Sequence, residues 1–378
     1  MVDSTSRDAP RPTVLLAGGG TAGHINPLLA VASELRRRRP AAQLLVLGTE
    51  TGLEQRLVPA AGFELFEIPR VPFPRRPSGD MLRFPGRIRR AVRQAEAAID
   101  RIDADVVVGF GGFVATPAYL AARNRHVPIV VHEANARPGM ANKLGARYTN
   151  HVAVTFPGTK LPGAEVTGLP LRAQIANLDR KQQRQPARDA LGLDPDAPLL
   201  LVTGGSLGAQ RINEAVTRAS PEITAAGAQI LHLTGADKSA DIASRVDEKA
   251  HHIVEYLDRM DLALAAADLV LCRAGAATVA ELSAVGLPAI YVPLAIGNGE
   301  QALNAGPVVA AGGAVQITDG ELSADLVRST VLELLFDSQR LEQMAAAASA
   351  SGHRDAAATV ADMIEVAATT RRDGHQPT

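Results

Sequence analysis

The sequence predicts an α/β protein with two domains, each built around a parallel sheet. Apolar runs of strand length alternate with helical patterns along most of the chain. One arrangement occurs twice: Thr13–Ala17 and Leu199–Thr203 are both predicted strands that lead through a glycine turn into a helix. A length of 378 residues also suits two domains better than one.

Five apolar runs in the first half fit buried parallel strands, because each is short, rich in valine, leucine or isoleucine, and followed by a turn. They are Thr13–Ala17, 43–47, Val106–Gly109, 129–132 and His151–Val154. Helices are predicted at 28–35 and Ala115–Asn124. A Pro- and Arg-rich interval, 69–85, interrupts the alternation.

The second half restarts the alternation after the polar segment 177–185, which is typical of an exposed connector. The predicted strands are Leu199–Thr203, Gln229–Leu233, 252–254, Leu269–Cys272 and 289–292. The pattern predicts a helix at 209–218 and a last amphipathic helix at 356–368, and residues 371–378 are typical of a frayed tail.

Composition excludes several classes of protein. The net charge of −1 predicts no general attraction to nucleic acid. A single cysteine, Cys272, excludes a disulfide framework and fits a reducing cytosol. Residues 1–11 are polar and contain proline, which predicts a disordered lead and no signal peptide. The chain has no apolar stretch of the roughly 18 residues that a membrane-spanning helix needs.

Three glycine turns follow predicted strands, at 18–23, 109–113 and 204–208. The first fits the dinucleotide pattern G-x-G-x-x-G, but that fold needs a carboxylate at the end of the second strand, where Gly48 stands. Ligands of open α/β sheets bind at the edge where these turns lie, so we expect at least two of them to bind phosphate or pyrophosphate. Close packing of a strand end on a helix is the alternative.

Polar side chains lie at the same predicted edge. His24 follows the first turn, and the sequence His-Glu-Ala-Asn at 132–135 ends another strand. A carboxylate and an amide there can bind sugar hydroxyls or share proton transfer, while a loop-capping cluster is the alternative. Metal binding is not predicted, because the histidines and the cysteine show no recognised ligand spacing and the chain has no D-x-D motif.

The stretch 272–304 is the most specific in the chain. A predicted strand ends in small residues and leads into a helix that carries Glu281. A helix N-terminus can neutralise a diphosphate, and a carboxylate can bind both hydroxyls of a ribose. Gln301 and Asn304 are predicted to bind a sugar. An ordinary solvated helix residue is the alternative interpretation of Glu281.

Together these motifs resemble those of the MurG family, the peptidoglycan N-acetylglucosaminyltransferases that act on a lipid-linked muramyl-pentapeptide. The similarity runs in order from about residue 13 to residue 355. It implies a GT-B fold, in which two Rossmann-like domains with parallel sheets face a cleft. The implied parts are a disordered lead at 1–11, an acceptor and membrane-facing domain at 12–170, a UDP-sugar domain at 171–352, a helix at 353–370 that crosses back to the first domain, and a tail at 371–378.

The resemblance also implies roles for single residues. It puts the uracil beside the backbone of Leu257 with Arg172 nearby, Ser206 at the diphosphate, Glu281 at the ribose, and Gln301 with Asn135 at the transferred sugar. The remaining implied donor contacts are Gly20, Thr21, Ala22, Ala276, Ala277, Thr278, Glu300 and Asn304. The implied contacts of the acceptor pyrophosphate are Gly18, Gly19, Gly23, Gly111 and Gly112. Many relatives carry glutamine where Leu207 and Ala134 stand here, and glycine where Ala22 stands.

The implied reaction is direct inversion without a metal or a cofactor. The 4-hydroxyl of the muramyl sugar attacks the anomeric carbon of UDP-N-acetylglucosamine, and UDP leaves. His24 is the first candidate for the general base, because an unperturbed histidine pKa of roughly 6.5 suits proton removal near neutrality. Glu133 is the substitute base, and a structural histidine is the alternative for His24.

A basic and apolar surface is predicted within 70–93, which holds eight arginines against one acidic residue. Its proposed membrane contacts are Phe73, Arg75, Arg76, Leu82, Arg83, Phe84, Arg87 and Arg90. Such a surface favours peripheral binding to an anionic membrane, here the cytoplasmic face of the cell membrane. A solvated basic helix with its apolar side in the core is the alternative.

Two other classes remain open from the sequence. Another GT-B enzyme, such as a glycolipid glycosyltransferase or a UDP-sugar 2-epimerase, would share most of these motifs. A module that senses UDP-sugars without turnover would share the donor motifs, but it needs no histidine or carboxylate at the acceptor edge. A nicotinamide enzyme is disfavoured by Gly48.

Overall fold

The structure is a computed structural model, and it describes residues 12–72, 79–205, 209–295 and 299–373. The chain divides into two compact units. The first contains the described residues up to Arg172 and those from Asp355 onward, and the second spans Ala173–Arg354.

The first unit contains a parallel sheet with the strand order β3-β2-β1-β4-β5-β6-β7. Its strands are β1 (Thr13–Ala17), β2 (Gln43–Thr49), β3 (Glu64–Ile68), β4 (Val106–Gly109), β5 (Ile129–Glu133), β6 (His151–Val154) and β7 (Ala164–Val166). Its first helices are α1 (Ala22–Arg38), α2 (Glu54–Ala60), α3 (Gly79–Ile102), α4 (Ala115–Asn124) and α5 (Met140–Gly145). The five strands predicted from apolar runs are all present. Two strands are not predicted from the sequence: β3, which contains two exposed glutamates and one buried residue, and β7, a short exposed edge strand.

The second unit repeats this plan with the strand order β10-β9-β8-β11-β12-β13, again parallel. Its helices before the sheet are α6 (Ala173–Ala176) and α7 (Arg180–Leu191). Its strands are β8 (Leu199–Thr203), β9 (Gln229–Leu233), β10 (His251–Val254), β11 (Leu269–Cys272), β12 (Ala289–Tyr291) and β13 (Ala314–Gln316). The helices between and after them are α8 (Gln210–Ala225), α9 (Ser239–Ala243), α10 (Met260–Ala266), α11 (Ala276–Val285), α12 (Glu300–Ala310), α13 (Ala324–Leu335) and α14 (Ser338–Ala350).

The segment 177–185 is largely exposed, as predicted, but from Arg180 onward it is part of a helix and not an irregular connector. Asp179 caps a helix there by accepting a hydrogen bond from the backbone N–H of Gln182, and α7 follows. Arg180 on α7 is directed inward and donates to the backbone carbonyls of Leu264 and Gly286. The sequence lacks the apolar stripe that usually predicts a helix packed on a core, because inward-facing side chains of α7 are arginines.

Both faces of the first sheet are covered by helices, which explains why its central strands are apolar on both sides. One buried cluster joins the sheet to α3, α4 and α5. The other joins it to α1 and to the last helix, α15 (Ala356–Asp373), through Val360 and Ile364. The last helix therefore completes the core of the first unit. Within the described residues, no helix combines the length and the apolarity that crossing a bilayer requires.

Candidate active site

Two glycine turns lie side by side in the first unit because their strands are neighbours. β1 pairs with β4, with Ala17 opposite Gly109, so the turn after each strand leaves the same edge of the sheet. Gly112 has a φ of +80°, and a Cβ added there would lie 2.4 Å from the carbonyl oxygen of Gly19. Only a glycine fits at Gly112, and its contact fixes the second turn against the first.

His24 lies in the first turn of α1, between these two glycine turns. Its Nδ1 is 3.2 Å from the carbonyl oxygen of Gly19 and 3.2 Å from the Thr21 hydroxyl oxygen. A carbonyl oxygen can only accept a hydrogen bond, so Nδ1 carries the proton and Nε2 keeps its lone pair. A Cβ added at Gly111 would lie 3.2 Å from Nε2, and the glycine there therefore leaves this nitrogen uncrowded.

The charge state of His24 suits a base near neutrality. Burial lowers the pKa of His24 below its ordinary value of 6.5. The hydrogen bond to Gly19 and the negative charges of Glu133 and Glu54 act in the opposite direction and are outweighed. The imidazole is therefore neutral at pH 7, and its unprotonated nitrogen can accept a proton.

The carboxylate of Glu133, the predicted substitute base, is hydrogen-bonded to the loop that follows β5. Its carboxylate accepts hydrogen bonds from the backbone N–H groups of Asn135 and Gly139, each at 2.9 Å, and from the Asn142 side-chain amide at 2.9 Å. Asn142 in turn accepts from the Tyr119 hydroxyl at 2.7 Å. Glu133 is only 4% exposed. Its geometry is that of a loop-capping carboxylate, and it acts on His24 through its charge.

His132 and Arg70 complete the surroundings of the two turns. His132 is fully buried and donates from Nε2 to the carbonyl of Gly168 at 3.2 Å. Burial lowers its pKa to about 4, so it is neutral at pH 7. The Arg70 guanidinium lies 4.6 Å from the centre of the Phe113 ring, and Phe113 lies next to Gly20. This brings a positive charge beside the first glycine turn.

One charged residue of this site is not predicted from the sequence. Glu54, at the start of α2, is fully buried and contacts the first glycine turn. Gly48 stands where a dinucleotide fold has its carboxylate, and a Cβ added there would lie 2.8 Å from the Glu54 side chain. Glu54, six residues after Gly48, thus places a carboxylate beside this position. The sequence does not distinguish Glu54 from Glu50. Only the burial of Glu54 in the folded chain indicates that it belongs to the site.

The predicted donor residues of the second unit lie at the carboxyl edge of its sheet. β8 pairs with β11, with Thr203 opposite Cys272, so the turn at Gly204 lies beside the one that leads into α11. Residues 276–278 form the first turn of α11, and their partly exposed backbone can receive an anion. Glu281 lies on the same helix and is partly exposed, as is Leu257 after β10. Ser206 and Leu207 lie outside the described residues.

The α12 residues divide into two groups. Glu300 and Gln301 are partly exposed, and Gln301 accepts a hydrogen bond from the backbone N–H of Leu294 at 2.9 Å. Asn304 is only 1% exposed and donates to the carbonyl of Ala274 at 3.3 Å. Asn304 therefore supports the turn before α11 from beneath, a position that the sequence did not predict.

The proposed membrane residues are only partly covered by the structure. Phe73, Arg75, Arg76 and the side chain of Leu82 lie outside the described residues. Arg83, Arg87 and Arg90 are exposed on α3. Phe84 is partly buried and packs against the core cluster. The described half of the surface is thus a row of arginines whose apolar neighbour faces inward. The side chains described also contain no cluster of metal-binding residues.

Comparison with known proteins gives one consistent result. The glycosyltransferase family 28 N-terminal domain matches residues 14–154, and the C-terminal domain of that family matches residues 199–360. A protein of Clavibacter sepedonicus is 56% identical over 358 residues, which is 94% of this chain and 97% of that relative. It is named UDP-N-acetylglucosamine–N-acetylmuramyl-(pentapeptide) pyrophosphoryl-undecaprenol N-acetylglucosamine transferase.

Solved structures agree with the sequence comparison. The crystal structure of Acinetobacter baumannii MurG has a TM-score of 0.77 and 28% identity, and the match covers 94% of this chain and 100% of that one. A UDP-GlcNAc 2-epimerase from Neisseria meningitidis has a TM-score of 0.68 at 14% identity, covering 93% of this chain and 99% of that one. At that identity the epimerase shows a common fold alone.

Proposed function

This chain belongs to glycosyltransferase family 28, and within it to the MurG family; from that premise we propose how its residues perform the family's reaction. The resemblance predicted from the motifs is confirmed. The enzyme transfers N-acetylglucosamine from UDP-N-acetylglucosamine to the lipid-linked N-acetylmuramyl-pentapeptide, which converts lipid I to lipid II. The first unit supplies the acceptor and membrane contacts, and the second binds the UDP-sugar.

His24 is the general base of this proposal. Its Nε2 removes the proton of the muramyl 4-hydroxyl while that oxygen attacks the anomeric carbon, and the bond from this carbon to UDP breaks with inversion. The observation that carries the assignment is the hydrogen bond from Nδ1 to the Gly19 carbonyl, which leaves Nε2 unprotonated. The neutral state of the ring at pH 7 supports it further. Glu133 supports His24 by its charge and by holding the following loop.

Negative charge on the departing UDP requires stabilisation in the second unit. The N-terminus of α11, at 276–278, supplies backbone N–H groups and the positive end of a helix dipole. Ser206 is assigned to the diphosphate, Glu281 to the ribose, the Leu257 backbone with Arg172 to the uracil, and Gln301 with Asn135 to the sugar. Asn304 acts indirectly, because it is buried below the turn that it supports. The residues assigned to the acceptor pyrophosphate are Gly18, Gly19, Gly23, Gly111 and Gly112, whereas Gly20 is assigned to the donor.

The membrane contact is assigned to the first unit as a peripheral one, on the cytoplasmic face. Its support is the row of exposed arginines on α3. Because Phe84 packs against the core, the described part of this surface binds anionic lipids through its arginines.

His24→Gln tests the proposal with purified enzyme, labelled UDP-N-acetylglucosamine and a lipid-linked muramyl-peptide. We expect kcat to fall about 100-fold or more, because a positioned base contributes that much to a proton transfer. The KM for UDP-N-acetylglucosamine should stay close to the wild-type value. His353→Gln, at an exposed histidine, is the matched control and should leave kcat unchanged. Turnover of His24→Gln near the wild-type rate would remove His24 from the chemistry.

A further inference from the structure

The Glu54 carboxylate fits its site because the neighbouring residues Gly19 and Gly52 have no side chains. A Cβ added at Gly52 would lie 2.3 Å from the Glu54 Oε2, and one at Gly19 would lie 2.7 Å from Oε1. A larger residue at either position would displace the carboxylate. The side chain is fully buried, so the carboxylate is built into the turn that precedes His24.

The carboxylate of Glu54 binds two backbone segments at once. Oε2 accepts from the backbone N–H of Gly20 at 3.0 Å, and Oε1 accepts from the backbone N–H of Thr49 at 3.0 Å. The Thr49 hydroxyl also donates to Oε1, at 2.5 Å. Burial raises the pKa of Glu54, but these hydrogen bonds outweigh burial and lower it overall. Glu54 is therefore a buried negative charge at pH 7.

A single peptide group joins Glu54 to His24. The N–H of Gly20, which donates to Glu54, and the C=O of Gly19, which accepts from His24 Nδ1, belong to the same planar unit. A negative charge on the N–H side polarises the peptide and strengthens its carbonyl as an acceptor. Carboxylate, peptide and imidazole thus form one hydrogen-bonded chain, in which the carboxylate orients the ring as it does directly in serine-protease triads.

We propose that Glu54 is a positioning residue for His24: its carboxylate holds the Gly19–Gly20 peptide, whose carbonyl holds the imidazole with its proton on Nδ1. Nε2 then remains the proton acceptor in every turnover. This inference rests on the proposed role of His24 as the base. Two other ionisable groups act on the His24 ring, Glu133 and His132, both on β5, so the test must separate Glu54 from them.

The test observes His24 directly, by NMR of protein labelled with ¹⁵N-histidine, and His24→Gln assigns the resonances. In the wild-type protein at pH 7.5 we expect the tautomer with its proton on Nδ1. A proton on Nε2 would overturn the proposal, even if no Glu54 variant folds. In Glu54→Gln we expect the two tautomers to mix and the titration midpoint of His24 to fall, because a negative charge is lost.

Glu54→Asp separates the peptide contact from the charge. Aspartate keeps the negative charge but is one methylene shorter, so it cannot bind Thr49 and Gly20 together. Tautomer mixing in this variant as well supports the route through the peptide. Wild-type spectra in both variants would refute it.

Measurements of kcat then test the positioning role of Glu54 separately from the role of His24 as the general base. In Glu54→Gln we expect kcat to fall about tenfold, the acidic limb of the pH profile to move to lower pH, and the KM for UDP-N-acetylglucosamine to stay unchanged. Glu64→Gln, at an exposed glutamate of β3, is the matched control. If the tautomers mix but kcat is unchanged, the positioning stands and His24 is not the base. If His24→Gln is inactive but Glu54→Gln has the wild-type spectrum, the base stands and Glu54 does not position it.

Discussion

Gly111 leaves space for the imidazole of His24 because it has no side chain. Its φ of +94° is strained for any other residue, and a Cβ there would lie 3.2 Å from both Cδ2 and Nε2 of His24. A substitution would therefore add backbone strain and crowd the nitrogen that accepts the proton. These two effects can be separated, because Gly158 has a φ of +79° with no heavy atom within 4 Å of its added Cβ.

Gly111→Ala should lower kcat about 10- to 100-fold, because a small displacement of the imidazole misaligns it with the acceptor hydroxyl. Gly158→Ala should cost a similar amount of stability, about 1 to 3 kcal/mol, and leave kcat unchanged. The measurements are turnover and the free energy of unfolding of both variants. Equal losses of kcat in the two variants would show that strain alone impairs the enzyme, and that the contact with His24 is unimportant.

Among the elements, helix α7 contains inward-facing arginines whose burial the sequence pattern does not reveal. Arg180, Arg184 and Arg188 repeat every four residues and so share one face of the helix. Arg188 is fully buried, donates to the carbonyl of Ala266 at 3.1 Å and binds Asp268 at 2.8 Å. Arg180 and Arg188 satisfy carbonyls at the end of α10, those of Leu264 and Ala266, whereas Arg184 binds the Asp268 carboxylate. The two partners of Arg188 named here are about 80 residues away in the sequence, so the polar pattern alone does not predict a buried arginine.

The helix α3 carries the membrane prediction. Arg83→Gln, Arg87→Gln and Arg90→Gln together should weaken binding to vesicles of phosphatidylglycerol and phosphatidylcholine about 100-fold. Each arginine near an anionic surface contributes about 1 kcal/mol, so the loss of three accounts for this factor. Sedimentation at low and high salt measures the effect, and binding of the wild-type protein should fall as salt rises.

The matched control is a triple variant of the second unit, Arg218→Gln, Arg259→Gln and Arg340→Gln, whose arginines are paired with acidic side chains. It removes the same total charge from other positions. An equal loss of binding in the control would show that net charge, and no particular surface, attracts the protein to the membrane. No binding of the wild-type protein at low salt would refute the membrane contact altogether.

For the whole molecule, the sequence predicted the class of fold and most central strands, because buried parallel strands are continuous apolar runs. It also predicted that His24, Glu133 and two glycine turns share one sheet edge, which follows from parallel topology. It left open whether Glu133 shares proton transfer or caps a loop, and it could not predict that Glu54 is buried. Both depend on hydrogen-bond partners that only the folded chain brings together.

Among the described residues of the two units, three histidines are fully buried and make folding depend on pH. They are His132 in the first unit and the pair His232 and His251 in the second, whose Nδ1 and Nε2 atoms are 3.1 Å apart. Burial lowers the pKa of His132 and His251 to about 4 and that of His232 to about 3. In the unfolded chain each has a pKa near 6.5. Below pH 6.5 the unfolded state therefore binds protons that the folded state does not.

Stability should accordingly be complete above pH 6.5 and fall below it by about 1.4 kcal/mol per pH unit for each histidine, down to about pH 4 for His132 and His251 and about pH 3 for His232. The carboxylates of Glu34 and Glu214, whose pKa values are lowered to about 2, act only below about pH 4.5, so the window from pH 6.5 to 5.5 isolates the histidines. Urea unfolding followed by circular dichroism at pH 7.5, 6.5 and 5.5 measures the slope. His251→Gln should make that slope shallower by one histidine's share, and an unchanged free energy of unfolding from pH 7.5 to 5.5 would contradict the prediction.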